Sequence, residues 1–195
     1  SVMYLYLIIK CKNLENKMKS SSQKIFSTAV HVIRISGWDK HKRDLLTAIK
    51  DQKDPTYRPR DGFYTDYGLA QSWRKAIWDG FLEPQLRSLI DGTHTKLQDI
   101  WAQQYIDQVG HTAHRHQPIG YSCVFYAEFD PKVHWATTVF RPFLDPNDVK
   151  NINEVFTPEV EEGDVFVFPS WMMHQATPSD TNVSRTIIAF NLEPR

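Results

Sequence analysis

Residues 161–174, EEGDVFVFPSWMMH, form the stretch of sequence that is most informative about the fold. An acidic, glycine-containing turn (EEGD) leads into a short apolar run at residues 165–168, which Pro169 interrupts before the chain reaches His174. Such a run between turn residues and a proline predicts a short buried strand. The stretch therefore predicts a turn, a strand and a proline kink that deliver a histidine.

Outward from this stretch, the second half of the chain consists of short strand patterns. Residues 96–106, 121–129, 137–140 and 184–192 are apolar or alternating. The first half combines a strand at 25–35 with helical patterns at 39–52, 70–82 and 83–90, and with a loop at 54–68. We expect Asp39 to cap the first helix and Pro84 to lie in the first turn of the last one. Helices followed by many short strands predict a β-sandwich or barrel with the helices packed on one outer face.

The composition predicts one globular domain in a protein from a reducing compartment. The chain has 195 residues, 23 Lys and Arg, and 23 Asp and Glu, so no basic stripe suggests nucleic-acid binding. Cys11 and Cys123 are far apart and form no disulfide framework, and Cys123 lies in an apolar strand, which predicts a small buried residue. We therefore expect a cytoplasmic protein.

The N-terminal residues form a separate pattern. Residues 3–9 are apolar but too few to cross a bilayer, and neither a preceding basic stretch nor a cleavage site suggests a signal peptide. Residues 10–24 are polar and lysine-rich, as in a linker. We expect residues 1–23 to be a peripheral extension and residues 24–195 to form a single domain without a membrane partner. No heptad or long apolar strip marks an oligomer interface.

Three histidines and one arginine carry the functional argument. His114 and His116 are two positions apart, so on a strand they point to the same face. With His174 from a distant strand, they can cap one face of a metal and leave the opposite positions open for substrate. Taken alone, residues 111–116 could equally be an exposed polar loop. Arg185 is a fixed cation in an otherwise apolar strand.

The order of these motifs resembles the iron(II)- and 2-oxoglutarate-dependent oxygenases, and in particular their small bacterial and phage-type branch. The resemblance covers about residues 97–192. Its motifs are an HxH pair, an S-x-V-x-Y strand, an EGD turn leading to FPS-x-x-x-H, and a final R-x-x-x-x-F-N strand. In this chain they are His114 to His116, Ser122 to Tyr126, Glu162 to His174, and Arg185 to Asn191.

The resemblance implies a β-rich α+β fold, a double-stranded β-helix (a cupin-like jelly roll) with N-terminal helices on one face. It implies Fe(II) held by His114, His116 and His174, and a 2-oxoglutarate co-substrate whose distal carboxylate pairs with Arg185. Further hydrogen bonds to the co-substrate would come from Tyr126 or Asn191. The implied enzyme is a dioxygenase, an oxidoreductase that hydroxylates its substrate and releases succinate and CO2.

One face of the strand at residues 96–106 offers candidate pocket residues. Trp101, Gln103 and Tyr105 share this face, and they form either a substrate pocket or a core stripe. The loop at 54–68 and residues 130–135 are expected to flank the mouth and to select the substrate. That substrate is a small molecule or a protein side chain.

Two departures from the superfamily pattern leave alternatives open. His116 stands where a carboxylate ligand is usual, and Ile187 stands where a serine often follows the arginine. The alternatives are a cupin-like three-histidine metal dioxygenase that does not use 2-oxoglutarate, and a non-catalytic jelly-roll binding module.

Overall fold

The computed structural model describes residues 28–52, 62–106, 108–142 and 155–195. The predicted extension at 1–23 lies outside these ranges, as do Cys11 and most of the predicted loop at 54–68. Three helices and ten strands are present in the described part of the chain. The helices are α1 (Trp38–Gln52), α2 (Lys75–Leu82, wound with the wider π-helical turn) and α3 (Glu83–Gly92). The strands are β1 (His31–Arg34), β2 (Phe63–Thr65), β3 (Thr95–Tyr105), β4 (His111–His114), β5 (Tyr121–Glu128), β6 (Thr137–Phe140), β7 (Val155–Phe156), β8 (Asp164–Pro169), β9 (His174–Ala176) and β10 (Arg185–Pro194).

The strands form two antiparallel sheets. The larger sheet has the order β1-β8-β5-β10-β3-β2, and the smaller has the order β4-β9-β6-β7. This arrangement confirms the predicted β-rich fold with few helices. No helix in the described ranges is long and apolar enough to cross a membrane.

Alternation along the strands of the larger sheet separates two hydrophobic cores. On β10, Ile188, Phe190 and Leu192 join the helices in one core, whereas Ile187 belongs to the other. On β3, Ile100 and Ala102 face the helices. The helices therefore cover one face of the larger sheet, as predicted, and the opposite face is free to build a site.

The acidic turn of residues 161–164 is fixed by both backbone and charge. Gly163 has a φ of 87°, which favours glycine, and its amide donates to the carbonyl of Tyr126 at 2.8 Å. Arg34 from β1 lies 2.7 Å from the buried Asp164 carboxylate and 2.8 Å from Glu161. These contacts start β8 at a defined residue and so set the position of the histidine that follows it.

Three local expectations were wrong. Residues 63–65 form β2 rather than a loop, because Phe63 pairs with Tyr105 of β3 and aromatic and threonine side chains suit a pleated surface. The first helix begins at Trp38, so Asp39 lies in its first turn, where its charge favours the helix N-terminus. The second helix begins at Lys75 rather than residue 70.

Candidate metal centre

Sheet register brings the distant histidines together. His114 at the end of β4 is the direct antiparallel partner of His174 at the start of β9. His116 follows β4, and its backbone amide donates to the carbonyl of Ser170 at 3.0 Å. The two-residue period thus continues past the strand end, and both segments are tied to the chain around the FPS motif.

The three side chains form one cluster. One potential ligand atom from each of His114, His116 and His174 lies within 4.8 Å of those of the other two. The imidazole centroids are 4.3 Å apart for His114 and His174, 5.0 Å for His116 and His174, and 5.2 Å for His114 and His116. The predicted set is therefore assembled in space with the spacing that one ion needs.

Each imidazole has its Nδ1 atom occupied by an oxygen acceptor. His114 Nδ1 lies 2.7 Å from the carbonyl of Thr112, and His174 Nδ1 lies 2.9 Å from the carbonyl of Met172. His116 Nδ1 lies 2.9 Å from Oδ1 of Asn191. Because these oxygens only accept, each Nδ1 carries the proton and each Nε2 keeps its lone pair. A hydrogen-bonded Nδ1 is the usual arrangement of a metal-ligating histidine, so the donor set fits a metal ion.

Burial keeps the imidazoles of His174 and His116 neutral. It lowers the pKa of His174 to about 3, and backbone bonding to Met172 offsets this only in part. Burial also lowers the pKa of His116, against the raising effect of the Asn191 bond. Neutral imidazole is the form that binds a divalent metal, so these two side chains can accept an ion without first releasing protons.

Arg185 supplies a buried cation with an unused donor. The residue is 3% exposed, and its Nη1 donates to the carbonyls of Trp135 and Thr177. Its guanidinium carbon lies 4.4 Å from the ring centre of Tyr105. Nη2 is buried and has no hydrogen-bond partner in the part of the chain that the structure describes. An unpaired buried donor on a charged group is costly, so the residue fits a carboxylate-bearing ligand such as 2-oxoglutarate.

Comparison with known proteins agrees with this geometry. The family model described as "Putative 2OG-Fe(II) oxygenase" matches residues 99–191, which contain all three histidines and Arg185. The second half of the chain is therefore similar to the 2-oxoglutarate- and Fe(II)-dependent oxygenases. No curated protein matches the chain significantly.

Solved structures share the fold of this chain at low sequence identity. A prolyl-4-hydroxylase from Pseudomonas putida is 14% identical with a TM-score of 0.57, and the match covers 87% of this chain and 94% of that one. HygX from Streptomyces hygroscopicus, solved with nickel, 2-oxoglutarate and hygromycin B, is 15% identical with a TM-score of 0.58 and coverages of 86% and 83%. A 2OG-Fe(II) oxygenase family protein from Burkholderia pseudomallei is 12% identical with a TM-score of 0.60, and 84% of each chain is covered.

The two predicted co-substrate residues have different surroundings. The hydroxyl of Tyr126 is buried and accepts a hydrogen bond from the Thr137 amide at 3.0 Å, which leaves its own proton to donate. Asn191 Oδ1 accepts from both His116 and Ser122 Oγ, the latter at 3.0 Å. The structure therefore gives Asn191 a task that the sequence reasoning missed, which is to orient a candidate metal ligand.

The predicted pocket residues line the cavity beneath the histidines. Trp101, Gln103 and Tyr105 share this face of β3, and the Tyr105 hydroxyl donates to Gln103 Oε1 at 3.0 Å. The Trp101 ring stacks 5.9 Å from that of His116. All three are nonetheless buried, so the pocket and the core-stripe interpretations describe the same residues.

His111 joins the site without having been predicted. Its ring centroid lies 4.3 Å from that of His114 and 5.6 Å from Phe63 of β2. The available signal was its position three residues before His114 in HTAHRH. That spacing was not informative because the register shift between His111 and His114 breaks the alternation of β4.

Residues 130–135 lie beside Arg185. His134 accepts from the Asp130 amide at 2.9 Å and lies 3.1 Å from the carbonyl of Val183 through Nε2. These bonds fix the segment whose Trp135 carbonyl accepts from Arg185. The segment expected to flank the mouth therefore also holds the arginine.

Proposed function

We propose that this oxygenase binds Fe(II) through the Nε2 atoms of His114, His116 and His174 and binds 2-oxoglutarate through Arg185. Its reaction is hydroxylation of an organic substrate with release of succinate and CO2. The observation that carries the proposal is the bonding of all three Nδ1 atoms to oxygen acceptors, which directs three Nε2 lone pairs into one cluster.

The residues of the chain have separate tasks in this reaction. When bound, Fe(II) and 2-oxoglutarate together supply the activation of O2 that oxidises the substrate. Arg185 orients the co-substrate by pairing its free Nη2 and its charge with the distal carboxylate. The Tyr126 side chain interacts electrostatically with Arg185. Its hydroxyl donates a hydrogen bond to the same end of the co-substrate. The aromatic side chains around the cavity exclude water from the oxidising centre.

Among the described residues, the candidate ligand cluster consists of three histidines and contains no carboxylate. Three neutral imidazoles leave a divalent ion with one more unit of positive charge than two histidines and a carboxylate would. This favours tighter binding of an anionic co-substrate, which is consistent with 2-oxoglutarate rather than opposed to it.

The test is an anaerobic titration of the Fe(II) protein with 2-oxoglutarate, followed by oxygen consumption and succinate analysis. A visible charge-transfer band and succinate formation are expected for the wild type. His174→Ala should lose iron binding, the band and succinate. His31→Ala is the matched control, because His31 is an exposed histidine on β1 at the edge of the larger sheet. Unchanged iron stoichiometry in His174→Ala would refute the ligand assignment.

The same titration separates the alternatives. Iron binding with oxygen consumption but without the band would indicate a three-histidine dioxygenase that does not need 2-oxoglutarate. Iron binding with neither would indicate a binding module.

The proposed substrate is a small molecule or a protein side chain, and the proposed location is the cytoplasm. HygX was solved with hygromycin B, and another similar structure is a prolyl-4-hydroxylase. Both substrate sizes are thus found on this fold. Cys123, the cysteine within the described ranges, is free and buried, as in a reducing compartment.

A further inference from the structure

An open cleft extends from the metal histidines to the surface between β2, β3 and the segment after β4. Its empty volume is about 920 Å³ including the mouth, large enough for a small molecule or a long side chain. Alternate residues of the β2 edge, Phe63, Thr65 and Tyr67, form one wall. Four amide side chains contribute to the remaining polar lining: Gln98, Gln103, Gln117 and Asn191.

Asp99 places an unneutralised carboxylate in this cleft. It is half-buried on β3, directly opposite Asn191 of β10 and next to a register shift that ends the regular pairing. Within residues 28–52, 62–106, 108–142 and 155–195, its carboxylate has no hydrogen-bond or ion-pair partner. A half-buried charge without a partner on the protein is the type of group that a ligand of opposite charge stabilises.

Two aromatic rings stand next to that carboxylate. Trp101 lies two residues further along β3 on the same face, about 7 Å away along the strand. The exposed ring of Tyr67 meets the Trp101 ring edge to face, with 5.0 Å between centroids. Two rings at an angle with a nearby carboxylate match the surroundings that favour an ammonium group.

The Tyr67 ring is held on a fixed support. The neighbouring residue, Asp66, is 1% exposed and accepts from the Ala102 amide at 2.7 Å and from the Trp73 indole at 2.8 Å. The Asp66 amide in turn donates to the Ala102 carbonyl. These bonds extend the β2–β3 pairing up to Tyr67, so the aromatic wall is preorganised rather than assembled by the ligand.

We propose that this part of the cleft, formed by Asp99, Trp101 and Tyr67, binds an alkylammonium group. Under the proposed function, the group belongs to the substrate, which is therefore an amine-bearing compound or a lysine-like side chain. Asp99 and His116 both line this cleft. The cation would consequently lie beside the reacting centre. Arg115, the other fixed charge of the cleft, is exposed and remains hydrated.

The test uses the metal-free full chain, so that it does not depend on turnover. Choline and 3,3-dimethylbutan-1-ol have the same shape, but only choline carries a charge. Their affinities are measured by NMR titration of the Trp101 indole signal, assigned with Trp101→Phe. We expect choline to bind about 25-fold more tightly than the alcohol, since cation–π and partly exposed ionic contacts each contribute about fivefold. Equal affinities would overturn the proposal.

Matched variants locate the binding site. Asp99→Asn should weaken choline by about fivefold and leave the alcohol unchanged. Asp79→Asn should change neither, because Asp79 is exposed on α2 beyond the other face of the sheet. Tyr67→Ala should weaken choline by about threefold, whereas Tyr67→Phe should retain it.

Three outcomes would overturn this assignment. One is full choline binding by Asp99→Asn, and another is a preference for the anion 3,3-dimethylbutanoate over choline, which would indicate Arg115. The third is an Asp99→Asn effect confined to the Fe(II)–2-oxoglutarate band, which would make Asp99 a metal-tuning residue. Failure of the oxygenase assignment would instead appear as loss of the band with the choline preference intact.

Discussion

Replacing Asn191 tests the metal centre through a residue that does not itself contact the metal. The Nδ1 partners of His114 and His174 are backbone carbonyls, whereas the partner of His116 is the Asn191 side chain. Asn191→Ala therefore frees one imidazole and leaves the other two held. His116 would then lose both its fixed orientation and the acceptor that increases the basicity of Nε2.

The expected magnitude follows from that single bond. Loss of such an outer partner weakens metal affinity by about 10- to 100-fold, which corresponds to about 1.4–2.7 kcal/mol. Asn191→Asp keeps an acceptor oxygen, so we expect its affinity to remain within about threefold of the wild type. Ser122→Ala removes the second donor to Asn191 Oδ1, at 3.0 Å, but leaves the bond to His116. It should therefore also remain within about threefold.

The assay is titration of the metal-free protein with Co(II), read from visible absorption in competition with a chelator. Circular dichroism confirms that each variant is folded. Wild-type affinity in Asn191→Ala would refute the claim that this bond orients a ligand. Equal losses in the Ala and Asp variants would show that packing, rather than hydrogen bonding, accounts for the effect.

Three further predictions concern the co-substrate site and the scaffold. Arg185→Met should raise the KM for 2-oxoglutarate by about 100-fold or more, because a buried charge pair is lost. Arg43→Met is the control and should leave this KM unchanged, because Arg43 is exposed on α1. Both KM values are measured from steady-state succinate formation, and an unchanged KM in Arg185→Met would contradict the assigned partner. Gly120→Ala should lower the free energy of unfolding by about 2–4 kcal/mol, since φ is 85° and a Cβ would lie 2.2 Å from a backbone carbonyl oxygen. Gly92→Ala, with open space around it, should change that free energy by less than about 1 kcal/mol, and urea denaturation compares the two. Asp66→Ala should cost about 2–4 kcal/mol in urea, because two buried N–H donors lose their acceptor; a loss below about 0.5 kcal/mol would mean that water replaces the carboxylate.

Much of the scaffold could be predicted because its signals are local. Strand β6 occupies the predicted residues 137–140, and β3, β5, β8 and β10 differ from prediction by one or two residues at their ends. Burial on one or both faces of a strand leaves its pattern in consecutive residues, and turns leave glycine and proline. The edge strand β2 left no such pattern, because three residues are too few to show a period.

The candidate site also has features that the local sequence predicts and features that it does not. The HxH spacing and the arginine in an apolar strand could be recognised from the sequence, since each pattern is contained within a few consecutive residues. The Nδ1 partner of His116 was not, because Asn191 is 75 residues away in sequence. Of the two aromatic residues beside Asp99, the sequence predicted only Trp101 as a pocket residue. Tyr67 could not be added, since it meets Trp101 through the pairing of β2 with β3.

The sequence alone was enough to propose three histidines and a buried-strand arginine as the site residues, and to predict which strand faces are apolar. Only the tertiary structure decided how they act together. The pairing of His114 with His174 fixes the cluster, and Asn191 fixes the proton on His116. Asp99 in the cleft has no hydrogen-bond or ion-pair partner among the residues that the structure describes. The physical reason is that side-chain type and spacing are encoded along the chain. Contacts between strands distant in sequence instead determine the histidine tautomers, the charge left without a partner and the shape of the cavity.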